Sequence, residues 1–185
     1  MNHPFDIIMV PLQVIILLFT IYYFLIGICG MWRRKENKIL FPLMTFAVIV
    51  EANNESAVIG QLIDNLQQLD YPKKLYDIFV VADNCSDDTA SIARDKGAIV
   101  CERTDDTQKG KGFALEWMFK ELFAMERQYD AVVVFDADNL VHPRFLLEMN
   151  NRLCKGDKVI QGYLDAKNPY DTWVSGTFAI AFWVI

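Results

Sequence analysis

Hydrophobic and polar residues divide this chain into two parts with different patterns. The first part contains an uncharged stretch from Ile7 to Trp32, in which only Gln13 and Thr20 are clearly polar. An α-helix needs about 20 apolar residues to cross a bilayer, and this stretch has roughly 26. The pattern therefore predicts one transmembrane helix, and residues 1–35, which include its basic flank, are expected to form a membrane anchor.

The charges around this stretch predict its orientation. Asp6 is the only charged side chain before it, and Arg33, Arg34, Lys35 and Lys38 follow it closely. The positive-inside rule then places the N-terminus outside and the rest of the chain in the cytoplasm. A cleaved signal peptide is the alternative, but the apolar run is too long, and both a basic leading region and a small-residue cleavage site are missing.

After Lys38 the pattern changes to short apolar runs that alternate with segments of helical spacing. Strands are predicted at 44–50, 77–82, 98–101, 131–135 and 159–163, and helices at 56–69, 88–96, 112–125 and 143–153. Such alternation is typical of an α/β fold with a mostly parallel sheet and helices on both faces. We expect residues 44–185 to form this domain.

Composition narrows the possible functions. The chain has 185 residues, of which 53% are hydrophobic and 23% charged, so it is not disordered overall. The net charge of -6 argues against a partner that is a nucleic acid, because an acidic chain repels phosphates. The four cysteines form no CxxC pair, which argues against a structural zinc site.

Parallel sheets bind ligands at the carboxyl ends of their strands, and the loops predicted there are polar. The fourth strand is followed by Asp136-Ala137-Asp138. Two carboxylates at this position suit a hard divalent cation such as Mg²⁺ or Mn²⁺. The alternative is a solvated turn in which Asp138 caps the next helix.

Two further loops carry polar groups that suit a nucleotide. Asp83 stands at the end of the second strand, where a carboxylate can accept a hydrogen bond from a nucleobase or a ribose, whereas Asp87 to Thr89 are explained by capping of the next helix. Lys109-Gly110-Lys111-Gly112 opens a helix and suits a diphosphate, although it matches no P-loop and a flexible basic turn is equally consistent with it.

The loop after the first strand, Ala52 to Glu55, has two interpretations. Its Asn and Glu side chains can bind a ligand, or they can simply form an Asx turn and supply charge to the first turn of the next helix.

Taken in order, these four stretches resemble family 2 glycosyltransferases of the GT-A fold. The resemblance lies in four loose motifs, PAxNE, D[DN]xSxD, [RK]GKGxAL and DxD. The matching residues are Ala52, Asn54 and Glu55, then Asp83, Asn84, Ser86 and Asp87, then Lys109, Gly110, Lys111, Gly112, Ala114 and Leu115, and finally Asp136 and Asp138.

The resemblance implies a role for each motif. Asp83 would contact the uracil of a UDP-sugar, with Ala52, Asn54 and Glu55 nearby. Lys111 and Lys109 would lie by the nucleotide. Asp136 would reach the ribose or the metal, and Asp138 would coordinate Mg²⁺ or Mn²⁺.

The implied reaction is an inverting transfer of a sugar to a hydroxyl group. The membrane anchor is similar to that of family members whose acceptor is a lipid or a growing glycan. Other α/β phosphate enzymes fit less well. A nucleotidyltransferase carries a Gly-rich loop after its first strand, where this chain has Glu51 to Glu55, and a dehalogenase-type phosphatase carries its DxD on the first strand, whereas here it follows the fourth.

The chain departs from the family pattern at two places. Glu51 replaces a proline and would add repulsion near a diphosphate. The family's general base, usually an aspartate, is expected beyond the point where this sequence stops, so we expect the chain to be the N-terminal portion of a longer enzyme. The alternative is a non-catalytic, membrane-anchored protein that binds a nucleotide sugar and lacks the base.

Overall fold

A computed structural model describes residues 4–30, 41–165, 167, 170–175 and 177. The chain divides into two compact units, one comprising Met1–Asn37 with Tyr163–Ile185 and the other Lys38–Gly162. The basic residues that predict the membrane orientation, Arg33 to Lys38, lie outside the described residues.

In the first unit, helix α1 runs from Pro4 to Gly30. Its stretch Met9–Cys29 has a mean hydropathy of 2.4, and this window is long and apolar enough to cross a membrane. A signal sequence near the N-terminus would meet the same criterion of length and composition.

The second unit is an α/β domain. Its strands are β1 (Phe46–Ala52), β2 (Tyr76–Asp83), β3 (Ile99–Arg103) and β4 (Ala131–Asp136). Its helices are α2 (Ile59–Leu66), α3 (Thr89–Asp95), α4 (Lys111–Ala124) and α5 (Phe145–Cys154), with a 3-10 turn at Lys73–Leu75. All strand pairs are parallel, and the order across the sheet is β3-β2-β1-β4.

Successive residues of β1 point to opposite faces of the sheet, which explains why this strand is apolar without alternation. Phe46, Val48 and Val50 pack with α2 and with Leu146 of α5 on one face. Ala47 and Ile49 pack with Met118 and other residues of α4 on the other face. The predicted α/β fold with helices on both faces is confirmed.

Two details of the prediction are wrong. Residues 159–163 form no strand, because no neighbouring strand among the described residues pairs with them. Val159 is therefore left almost fully exposed. Helix α2 begins at Ile59 instead of Ser56. The amide of Glu55 donates to the hydroxyl of Thr89, the first residue of α3, and the amide of Ser56 donates to Asp87 in the loop before it. These bonds hold this segment in turns before α2 begins.

Candidate functional site

The carboxyl ends of the four strands bring the polar loops to one edge of the sheet. Asp83 at the end of β2 lies in register with Arg103 at the end of β3. On the other side, Glu51 of β1 lies in register with Asp136 at the end of β4. Charged residues at the ends of separate strands are therefore paired across the sheet.

The most deeply buried charges at this edge are those of Asp83 and Arg103. Nη1 of Arg103 donates a hydrogen bond of 2.6 Å to Oδ1 of Asp83, and the two side chains are 6% and 2% exposed. The sequence prediction included Asp83 but missed Arg103. The charge of Arg103 just after a predicted apolar strand was the one sign in the sequence that this residue has a role. Its pairing with Asp83 follows only from the register of β2 and β3.

The second nitrogen of Arg103 holds the loop that follows β3. Nη2 donates to the carbonyl of Gln108 at 2.6 Å and to Oδ2 of Asp105 at 3.1 Å. Oδ1 of Asp105 accepts bonds from the Thr107 hydroxyl and from the amides of Thr107 and Gln108. These bonds, the Thr107 hydroxyl first, lower the pKa of Asp105 to about 2.

The loop after β1 is joined to the loop after β2. Oδ1 of Asn54 accepts a bond of 2.8 Å from the amide of Ser86, and Asn54 has a left-handed backbone with φ of 57°. Ala52 is buried at the end of β1, and its carbonyl accepts a weak bond from the Cys85 thiol at 3.4 Å. The side chain of Asn54 thus organises the loop, whereas the carboxylate of Glu55 stays partly exposed nearby.

Asp87 fastens these two loops from the other side. Its Oδ1 accepts from the hydroxyl and amide of Thr89, and its Oδ2 accepts from the amide of Ser56 at 3.1 Å. These hydrogen bonds, that of the Thr89 hydroxyl first, lower the pKa of Asp87 to about 2. The capping predicted for Asp87 is present at the Thr89 amide and extends to the β1 loop, whereas Asp88, the N-cap residue of α3, makes no side-chain capping bond.

Lys109 and Lys111 flank the start of α4. Gly110 between them has φ of 112°, a conformation that side chains rarely adopt, and a Cβ placed there would meet nothing within 4 Å. Lys109 pairs with Asp106 at 3.1 Å on the surface, whereas Lys111 forms an ion pair with Asp136 across the site.

Glu51 lies beside this pair. Burial raises the pKa of Glu51, the nearby Lys111 ammonium lowers it, and the charges of Asp83 and Glu55 raise it further, with a net increase. A raised pKa makes Glu51 easier to neutralise.

The Asp136-Ala137-Asp138 segment forms a turn that Asn139 stabilises. The amide of Asp136 donates to Oδ1 of Asn139 at 3.1 Å, and the amide of Asn139 donates back to the Asp136 carbonyl at 3.1 Å. Both carboxylates are exposed. Within the described residues, no group of three or more His, Cys, Asp or Glu side chains could hold a metal ion.

Comparisons with known proteins show which family this chain resembles. Residues 42–183 match the family model "Glycosyltransferase like family 2". A relative from Nostoc sp. strain PCC 7120, a beta-monoglucosyldiacylglycerol synthase, is 31% identical over 122 residues, which cover 63% of this chain and 25% of the relative. The chain thus spans about a quarter of the length of that relative.

Two solved structures are similar in fold. A mannosyltransferase from Pyrobaculum calidifontis, in complex with GDP-Man and Mn²⁺, superposes with a TM-score of 0.58 at 22% identity, over 84% of this chain and 45% of the other. A glucosyl-3-phosphoglycerate synthase from Mycobacterium tuberculosis, in complex with UDP, gives a TM-score of 0.51 at 29% identity, over 68% and 47%.

Proposed function

Because this chain belongs to the glycosyltransferase-like family 2, we propose that it forms the donor-binding part of an inverting glycosyltransferase. The donor is a UDP-sugar, and the acceptor is a hydroxyl group of a lipid or a glycan. In the reaction the acceptor oxygen bonds to the anomeric carbon of the sugar, the bond from that carbon to UDP breaks, and the acceptor's proton passes to a base.

One observation carries this proposal: two different recognition chemistries meet at the same edge of the sheet. Asp83, paired with Arg103, offers a carboxylate acceptor for a nucleobase. Lys111, at the open N-terminus of α4, offers a cation and free amides for a diphosphate. UDP needs both kinds of group, and the complex of the mycobacterial synthase with UDP supports this choice of nucleotide.

The residues at the end of β4 fit a divalent cation if the donor supplies further ligands. Mg²⁺ and Mn²⁺ prefer oxygen ligands and are held in many phosphate sites by one or two carboxylates plus phosphate oxygens. Asp136 and Asp138 would hold the ion, and its charge would stabilise the departing diphosphate. Mn²⁺ in the complex of the Pyrobaculum mannosyltransferase supports metal use by this fold.

The membrane part of the proposal concerns the acceptor. Helix α1 would anchor the protein, and the basic flank that follows would hold the α/β domain on the cytoplasmic side. The similarity to a diacylglycerol glycolipid synthase favours a lipid acceptor. A domain fixed at the surface of the bilayer would meet such an acceptor directly.

Titration calorimetry on the full chain in detergent tests donor binding. We expect UDP to bind in the presence of Mn²⁺ and to bind at least tenfold more weakly in EDTA, because an ion held by Asp136 and Asp138 would neutralise charge on the diphosphate. Uridine, which lacks the diphosphate, should show no such difference. Equal binding of UDP in both conditions would contradict the proposed metal site, and absence of UDP binding would contradict the proposed function.

Turnover separates the enzyme from the non-catalytic alternative. Release of UDP from a UDP-sugar, measured with and without a diacylglycerol acceptor in mixed micelles, would demonstrate catalysis. Tight binding of UDP without release of UDP would favour the non-catalytic nucleotide-sugar-binding protein.

A further inference from the structure

Arg103 is a buried charge to which the sequence pattern assigned no role. Its guanidinium is 6% exposed and touches two different parts of the site, the carboxylate of Asp83 and the loop that precedes α4. Burying an arginine is costly unless its donors are matched by acceptors, and here Asp83, Asp105 and the Gln108 carbonyl provide them.

The contacts of Asp83 leave one of its oxygens for a ligand. Arg103 and the side-chain amide of Asn84 both donate to Oδ1, at 2.6 and 3.1 Å. No side chain among the described residues donates to Oδ2 of Asp83. An ionised carboxylate accepts hydrogen bonds and cannot donate them, so a ligand at Oδ2 must bring an N–H or O–H group.

Asn84 connects the same pair to the following loop. Its backbone is left-handed with φ of 50°, and its Oδ1 accepts a bond of 2.9 Å from the amide of Asp105. Asp83, Asn84, Arg103 and Asp105 therefore form one hydrogen-bonded network, which reaches Gln108, the residue directly before Lys109.

We infer that Arg103 is a positioning residue that sets the base specificity of the donor site. By holding Oδ1 of Asp83, it fixes the side chain so that Oδ2 is the oxygen that accepts from a ligand. A base with an imide N–H, such as uracil, then satisfies Oδ2, whereas cytosine presents an unprotonated ring nitrogen at the equivalent position and is repelled. This inference rests on the proposed function, since it assigns the base pocket of the same donor site.

The test compares the affinities of UDP and CDP, both with Mn²⁺, for the full chain in detergent. The variants are Arg103→Met, which removes the charge, and Arg103→Lys, which keeps it but loses the second nitrogen. Arg94→Met is the matched control, because Arg94 makes an exposed ion pair with Glu102 next to the same strand. Circular dichroism shows whether each variant is folded.

We expect the unsubstituted chain and Arg94→Met to prefer UDP over CDP by the same factor. In Arg103→Met we expect the ratio of UDP affinity to CDP affinity to fall about tenfold or more, because the substitution removes a hydrogen bond to the charged Asp83 side chain. Arg103→Lys should recover part of it. A general structural defect would weaken both nucleotides equally, so the ratio separates positioning from stability.

Two results would overturn the inference. The first is a folded Arg103→Met with an unchanged ratio of UDP to CDP affinity. The second concerns the case in which Arg103→Met does not fold. In that case, a folded Arg103→Lys that binds UDP and CDP more weakly by the same factor would overturn the inference. Either result leaves the proposed function standing, whereas an unsubstituted chain that binds no UDP overturns both.

Discussion

Lys111, the first residue of α4, forms an ion pair with Asp136, the last residue of β4. The pair links the loop proposed for the diphosphate to the carboxylate proposed for the metal. Both side chains are about half exposed, so the contact contributes little to folding. Its importance is that one ammonium group occupies a position at Asp136 where a divalent cation would bind.

Replacing Lys111 by Met should therefore change two affinities in opposite directions. Without a donor, Mn²⁺ should bind several-fold more tightly, because Asp136 loses a competing cation. UDP without metal should bind several-fold more weakly, because the diphosphate loses a positive charge. Electron paramagnetic resonance of Mn²⁺ and calorimetry with UDP measure the two effects.

Lys120→Met is the control for this prediction, since Lys120 pairs with Glu116 on the exposed side of the same helix. It should change neither affinity. If Lys111→Met weakens the binding of Mn²⁺ and UDP alike, the competition between Lys111 and the metal is refuted.

Asp138→Asn should remove most of the metal dependence of UDP binding. The amide keeps the size of the side chain but loses the negative charge that attracts the ion. We expect the ratio of UDP affinities with Mn²⁺ and with EDTA to fall about tenfold. Asp157→Asn, at an exposed aspartate that faces Arg152, should leave the ratio unchanged. An unaltered ratio in Asp138→Asn would place the ion elsewhere.

Asp87 makes the stability of the two joined loops dependent on pH. Its pKa is lowered to about 2 in the folded chain from an ordinary value of 3.8, so its contribution is present above pH 4 and is lost as the pH falls towards 2. Asp87→Asn should therefore lower Tm at pH 7, and the difference from the unsubstituted chain should shrink between pH 4 and pH 2.

Scanning fluorimetry at several pH values measures this effect. Asp88→Asn provides the comparison, because Asp88 is an exposed neighbour in the same loop. A Tm difference for Asp87→Asn that stays constant from pH 7 to pH 2 would show that the carboxylate does not carry the effect.

Asn150 and Asn151 in α5 offer a matched pair of buried amides. Oδ1 of Asn150 accepts from the amides of Leu43 and Met44 and from the Tyr71 hydroxyl. Oδ1 of Asn151 is buried and has no hydrogen-bond partner among the described residues. Asn150→Leu should cost about 2–4 kcal/mol, because it leaves buried donors unsatisfied, whereas Asn151→Leu should cost much less. Urea unfolding of the two variants measures the difference, and equal costs would contradict this account.

The sequence predicted the strands and the polar edge of the sheet because both depend on local pattern. The continuous apolar runs of β1 and β4 indicated parallel strands, and the rule that ligands bind at carboxyl ends pointed to Asp83 and Asp136. The pairing of Asp83 with Arg103 depends on the register of two strands that a helix separates, and no local pattern contains that information.

The wrong prediction at residues 159–163 has a related cause. A run of apolar residues forms a strand only if it can pair by hydrogen bonds with a neighbouring strand. Among the described residues, β4 pairs with no strand besides β1. The start of α2 was misplaced because contacts with Asp87 and Thr89, about thirty residues later, hold residues 55 and 56 outside the helix.

The strand order β3-β2-β1-β4 makes the site modular. The chain adds β2 and β3 on one side of β1 and then returns to place β4 on the other side. Arg103 and Asp83 thus belong to one flank, and Asp136 and Asp138 to the opposite flank, with the small buried Ala52 ending the strand between them. Substitutions that retune the proposed choice of nucleobase can therefore accumulate on the β2–β3 flank while the two aspartates proposed for the metal, at the end of β4, stay unchanged.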